Sequence, residues 1–204
     1  MYSSRTGLTL AFHGCDKKVL NQVIQKNKSL KASTNSWDWL GHGIYFWEYS
    51  PSRALEFAKA LSKKTDPTIT KPAALGAVID LGRCLDLLDY QNLTEVKEAY
   101  KFFKQTVENS KFSISLPKNR VTKGGPDLLI RELDCAVIQT VHSLRKQNGA
   151  PAYDSVRGVF WEGDSLYPDA GFREKDHIQI CICNPNCIKG YFTPRELSKD
   201  HPAV

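Results

Sequence analysis

At 204 residues and 23.0 kDa the chain fits one domain and can bury a sizeable core, and its 41% apolar content is that of a soluble globular protein. No uncharged run is long enough to span a bilayer, and Met1-Tyr2-Ser3-Ser4-Arg5 lacks an export signal's apolar stretch, so a cytoplasmic protein without a membrane partner is expected. The net charge of +6 favours contact with an anion, but the basic residues are spread along the chain and form no dense nucleic-acid-binding arm.

In chain order, Leu8 to Phe12 reads as a buried strand. Asp16 is placed to cap a helix over Lys17 to Gln25, whose Val19, Leu20, Val23 and Ile24 share a face. After a polar loop to Trp39 comes a short strand from Gly43 to Trp47. Pro51 suits the first turn of a helix running to about Ser62. Ala74 to Leu81 and Cys84 to Leu88 read as strands around Gly82, and Thr94 to Glu108 as an amphipathic helix.

Ser110 to Gly125 is polar, Lys-rich and punctuated by Pro117 and Gly124-Gly125, which suggests a mobile, substrate-contacting insertion. Asp127 to Lys146 carries the apolar spacing of a long helix. Val156 to Trp161 is a strand, Glu162 to Asp176 a loop, and His177 to Cys183 and Ile188 to Phe192 the last two strands. The expected fold class is α+β: a single domain over residues 1–204, with two small packed sheets flanked by helices.

Six cysteines without an export signal are read as reduced thiols. Cys181-x-Cys183-x3-Cys187 has neither the spacing nor the fourth ligand of a structural zinc site, so buried thiols and no metal are expected. No serine elbow and no phosphate-binding loop with Lys-Ser/Thr is visible, and Cys15 has no separate histidine frame.

The distinctive segment is 12–58. A strand closes on Phe12-His13-Gly14-Cys15; later come Leu40-Gly41-His42-Gly43-Ile44-Tyr45-Phe46-Trp47 and Ser52-Arg53-Ala54 at a helix start. A lone strand-end histidine or strand aromatic is ordinarily structural, but the joint spacing resembles the ADP-ribosyltransferases of the diphtheria-toxin and poly(ADP-ribose)-polymerase type. The resemblance is strong over residues 8–60 and weak elsewhere. It implies NAD as substrate, an NAD-binding core at about 8–60, a helical and loop insertion at about 92–148, and an acceptor loop with the last strands at about 155–193.

Under that resemblance His13 holds a ribose hydroxyl, and the backbone of Gly14 meets the nicotinamide carboxamide edge, with Cys15 and Gly43 beside it. Tyr45 stacks the ring and Phe57 covers its other face. Eleven residues separate Tyr45 from Phe57 where the family has ten, so Tyr49 is the alternative. The family's acid at the start of a late strand falls near Ile178. The polar residue there is Gln179, flanked by His177, and a glutamine cannot act as a base. Either Gln179 completes the site or Glu162 or Glu174 supplies the carboxylate.

The loop Glu162 to Asp176 lies where the family recognises its acceptor, so Tyr167 and Phe172 either touch the acceptor or tuck under the loop. Trp37, Trp39 and Trp47 fall around the cleft, as core or as stacking surfaces. The expectation is an NAD-dependent mono-ADP-ribosyltransferase acting as a toxin or antiviral defence effector. Its acceptor is RNA ahead of protein, and a cognate antitoxin is a further expected partner. The alternatives are a catalytically silent NAD, ADP-ribose or nucleic-acid binding module, and an NAD glycohydrolase.

Overall fold

Asp16 organises the start of the chain. It ends strand β1 (Thr9–Asp16), and its Oδ1 accepts from Lys18 N at 2.8 Å, capping α1 (Lys17–Lys26). Its Oδ2 accepts from Thr70 N at 2.7 Å and Lys71 N at 2.9 Å, tying the helix start to the approach of β3 (Pro72–Ile79). Between these lie β2 (Ile44–Glu48) and α2 (Pro51–Ser62), with Pro51 in the first turn.

Then follow β4 (Cys84–Asp86), α3 (Tyr90–Glu108), β5 (Asn119–Arg120), β6 (Ile130–Arg131) and α4 (Glu132–Gln147). The chain closes with β7 (Ser155–Phe160), β8 (His177–Ile182), a 3-10 turn at Pro185–Cys187 and β9 (Ile188–Phe192). This computed structural model describes residues 7–112, 114–121 and 127–202. Gly124-Gly125, part of the expected insertion, lies outside the described residues.

The fold is α+β, with the expected pair of small sheets replaced by one mixed seven-stranded sheet, β4-β7-β8-β2-β1-β3-β9, and a separate β5-β6 ribbon. The reason is a narrow seam. β1 and β2 pair only at Ala11–Glu48 and Phe12–Trp47, whereas β2 pairs with β8 over four residues and β1 with β3 over eight. That seam makes the two halves continuous. β4 joins parallel to β7, and the other strand pairs are antiparallel.

Strand alternation divides the side chains between two faces. On one, Ala11, Cys15, Ile44, Phe46, Ile180 and Ile182 pack against Leu20 and Val23 of α1. On the other, Phe12 and Trp47 pack on Ala54 of α2, while Leu85, Val156 and Cys181 pack on Ala99 of α3 and Val137, Ile138 and Val141 of α4. The helices cover the two ends of this second face. Its middle, over β2 and β8, holds the site described next.

Several boundaries differ from expectation. β1 runs past Phe12 to Asp16 because it pairs with β3 over eight residues, β3 starts and ends two residues early, and β4 stops at Asp86. Two helix starts differ as well. α3 begins at Tyr90 because Asp89 caps it, accepting from Gln91 N at 2.7 Å and Asn92 N at 3.3 Å. α4 begins at Glu132, not Asp127, because Ile130–Arg131 is taken into the ribbon with Asn119–Arg120. Asn119 Oδ1 then accepts from Leu133 N at 3.0 Å and Asp134 N at 3.2 Å, capping α4 from outside the helix.

Candidate functional site

β2 and β8 align Trp47 with Gln179, and β7 and β8 align Gly158 with Gln179 and Phe160 with His177. These side chains share the second face, in the gap between α2 and the start of α4. The loop after β7 brings Glu162 in, and the first turn of α2 brings Arg53, which forms a close ion pair with Glu162. Trp47, Glu162, His177 and Gln179 are all between 4% and 8% exposed. Rings line the cluster: Phe57 lies 5.0 Å from Trp47, and Phe160 5.8 Å from His177. Arg131 stacks on Trp39 at 4.4 Å and on Phe160 at 5.2 Å.

Four polar atoms in this cluster are buried without a hydrogen-bond partner: Trp47 Nε1, Arg53 Nε, His177 Nε2 and Gln179 Oε1. A buried polar atom left unpaired costs about 1–3 kcal/mol, so native structures carry few of them. Four on one face of adjoining strands and a helix start mark this cluster as the candidate site.

His177 is held by its Nδ1, which donates to the Lys175 carbonyl at 2.6 Å. Burial lowers its pKa, against the opposing influence of that hydrogen bond and of the nearby Glu162 carboxylate. The imidazole is therefore neutral at pH 7, with an acceptor lone pair on Nε2.

The remaining expected residues lie around this cluster. Gly14 faces α2, and a Cβ there would sit 2.2 Å from the Ala54 carbonyl oxygen and 3.4 Å from Phe57, so helix packing alone demands glycine. A Cβ on Gly43 would meet Cys181 Sγ and the Ile182 carbonyl at 2.5 Å, which again is a packing reason. Tyr45 shares the second face, but its hydroxyl donates to the Gly41 carbonyl at 2.7 Å and accepts from Leu40 N at 3.0 Å. It holds the preceding turn, and its half-buried ring packs beside Leu40 and Cys181.

His13 and Cys15 point to the first face. One step beyond the seam, His13 Nδ1 donates to the Tyr45 carbonyl at 2.8 Å, bridging the two strands where their ladder ends. Burial lowers the His13 pKa against that hydrogen bond, and raises the Cys15 thiol to about 11 in the core under α1. Glu174 is exposed, its side chain beside Gly163. Tyr49, the alternative to Phe57, is exposed with a left-handed φ of 51°. Tyr167 and Phe172 are both exposed, on a loop closed by a Ser165–Arg173 bridge, so neither tucks beneath it.

Sequence reasoning named Glu162, Gln179 and Phe57 but gave no role to Arg53 or Trp47 Nε1, and left His177 as a flanking residue. Arg53 had a legible signal, since a basic residue in the first helical turn opposes the helix dipole and needs an outside partner.

On the first face, Arg157 is buried in a charge cluster with Glu48 at 2.5 Å and Asp86 at 3.2 Å, linking β7 to β2 and β4. None of the six cysteines is in a disulfide, and five of them are buried. Cys183 Sγ lies 3.9 Å from His142 Nε2, and its pKa is lowered by the Cys181 thiol beside it, with His142 adding to the shift. Among the described residues no group of three or more His, Cys, Asp or Glu is placed to hold a metal, and no helix is long and apolar enough to cross a membrane. No protein-family model, curated protein or solved structure matches the chain.

Proposed function

We propose that the chain is an NAD-dependent mono-ADP-ribosyltransferase whose active site is the polar cluster over β2 and β8. The observation that carries this reading is the set of unpartnered buried atoms on Trp47, Arg53, His177 and Gln179 beside the Glu162–Arg53 pair. It lies next to the His-Gly strand and on the Gly-Ile-Tyr-Phe strand that carry the resemblance. Transfer requires the nicotinamide–ribose bond to lengthen while positive charge grows on the ribose ring. Glu162 supplies a buried carboxylate to stabilise that charge. Gln179 Oε1 accepts from a ribose hydroxyl, and Trp47 and Phe57 offer aromatic surface to the nicotinamide ring.

The carboxylate is set against α2 by Arg53, so it comes from the loop after β7 and not from β8. The acceptor is RNA ahead of protein, a preference resting on the chain's positive balance and on exposed Trp161, Tyr167 and Phe172 along the rim. The role is that of a toxin or defence effector, with an antitoxin as expected partner. The test is incubation of the protein with NAD labelled in the adenylate and a cell lysate, followed by separation into RNA, DNA and protein. Label in the RNA fraction, absent with Glu162→Gln, supports the reading. No label in any fraction and no free nicotinamide favours the silent binding module, whereas nicotinamide release without label favours the glycohydrolase.

A further inference from the structure

Gln179 cannot take up a proton, and Glu162 is held by Arg53, so the reading above leaves the acceptor's proton without a destination. His177 offers one. Its Nδ1 is committed to the Lys175 carbonyl at 2.6 Å, which fixes the tautomer and leaves the lone pair on Nε2. That nitrogen is buried and unpartnered, on the same face as the unpartnered Gln179 Oε1 two residues away. The ring is held between Phe160, Trp39 and Trp47 at 5.8–6.3 Å. The charged groups around it are Glu162 after β7, Arg53 from α2 and Asp176 at the entry to β8. On the far side of Phe160 lies a cleft of about 390 Å3, lined by Arg131, Trp161 and Arg173.

We propose that His177 Nε2 is the general base of the transfer, acting on an acceptor hydroxyl. This rests on the transferase reading. A hydroxyl keeps its proton until it attacks, whereas a carboxylate or thiolate arrives ionised and gains nothing from a base. In the step, the hydroxyl oxygen bonds to C1′ of the nicotinamide-side ribose and the bond from C1′ to the nicotinamide nitrogen breaks. The bonding pair leaves with nicotinamide, neutralising its ring charge, and the hydroxyl proton passes to Nε2, giving the imidazolium.

The test measures nicotinamide release from NAD with water as the hydroxyl acceptor, in the wild type and in His177→Ala, with and without sodium azide. Azide needs no base. The expected result is a loss of about 100-fold in the variant, with the Kd for NAD changed less than about threefold, and recovery in azide with an ADP-ribosyl azide product. Undiminished release, or a loss that azide does not restore, overturns the assignment to His177 and leaves the transferase reading standing. No release by the wild type overturns both.

A second measurement does not depend on the variant's folding. In wild-type protein labelled with 15N-histidine, the His177 Nε2 signal at pH 7 is that of an unprotonated nitrogen; a protonated Nε2 there overturns the proposal. With the macromolecular acceptor, removal of the label by ribonuclease and not by protease assigns the hydroxyl to RNA.

Discussion

At the residue scale, the cluster's chemistry is set by who is paired and who is not. Glu162 and Arg53 neutralise one another in a buried place, so removing either charge strands the other. Cys183 stands apart from this site, and its lowered pKa sets it apart from Cys15, Cys135, Cys181 and Cys187, whose thiols burial raises. Iodoacetamide at pH 7 should label Cys183 before those four, and His142→Ala should slow it, as peptide mass spectrometry would show; equal labelling would contradict the pairing.

The two buried histidines give stability a pH dependence of definite sign. His13 and His177 have folded pKa values below that of an unfolded histidine, so the unfolded chain takes up protons first on acidification. Their contribution is complete above about pH 6.5 and is lost as the pH falls below it. The Tm followed by circular dichroism should fall between pH 7.5 and 5. His177→Gln should fall less steeply; a Tm that holds level or rises in acid would contradict the burial of both rings.

At the element scale, what was legible in the sequence was what its own residues determine. Pro51 gave the start of α2 and Asp16 the start of α1, because an N-terminal proline and a capping carboxylate act within one turn. The start of α4 was not legible, because Asn119 caps it from 14 residues upstream and the ribbon takes Ile130–Arg131 out of the helix. Asn119→Ala should lower stability by about 1 kcal/mol, and Asp16→Ala by about 1–2 kcal/mol, in urea unfolding. An unchanged midpoint for Asn119→Ala would mean that α4 is capped by other means.

At the scale of the whole molecule, one sheet carries a face covered by α1 and a second face whose middle, between α2 and α4, holds the buried Trp47, His177 and Gln179 cluster. This second face was partly visible beforehand. Glu162, Gln179 and Phe57 stood out because the resemblance and the departure at Gln179 pointed to them. Arg53, His177 and Trp47 Nε1 did not, because their meaning lies in partners found or missing across β2, β7, β8 and α2. Gly14 and Gly43 were read for a ligand, and the fold gives each a packing reason, which sequence alone does not separate from a binding one.

The Arg157 cluster on the other face was also invisible, since Glu48, Asp86 and Arg157 are far apart in the chain. It ties three strands together, and Arg157→Met should lower stability by about 3–5 kcal/mol in urea by removing the ion pairs to Glu48 and Asp86 around a buried guanidinium. A change under about 1 kcal/mol would show that water reaches that cluster.

The central claim is that the cluster over β2 and β8 cleaves NAD through Glu162. Chromatographic measurement of nicotinamide released from NAD by the wild type and by Glu162→Gln, with the fold of each checked by circular dichroism, tests it most directly. Release by the wild type and a fall of about 100-fold or more in the folded variant is the result the account predicts. Equal release by both would contradict it.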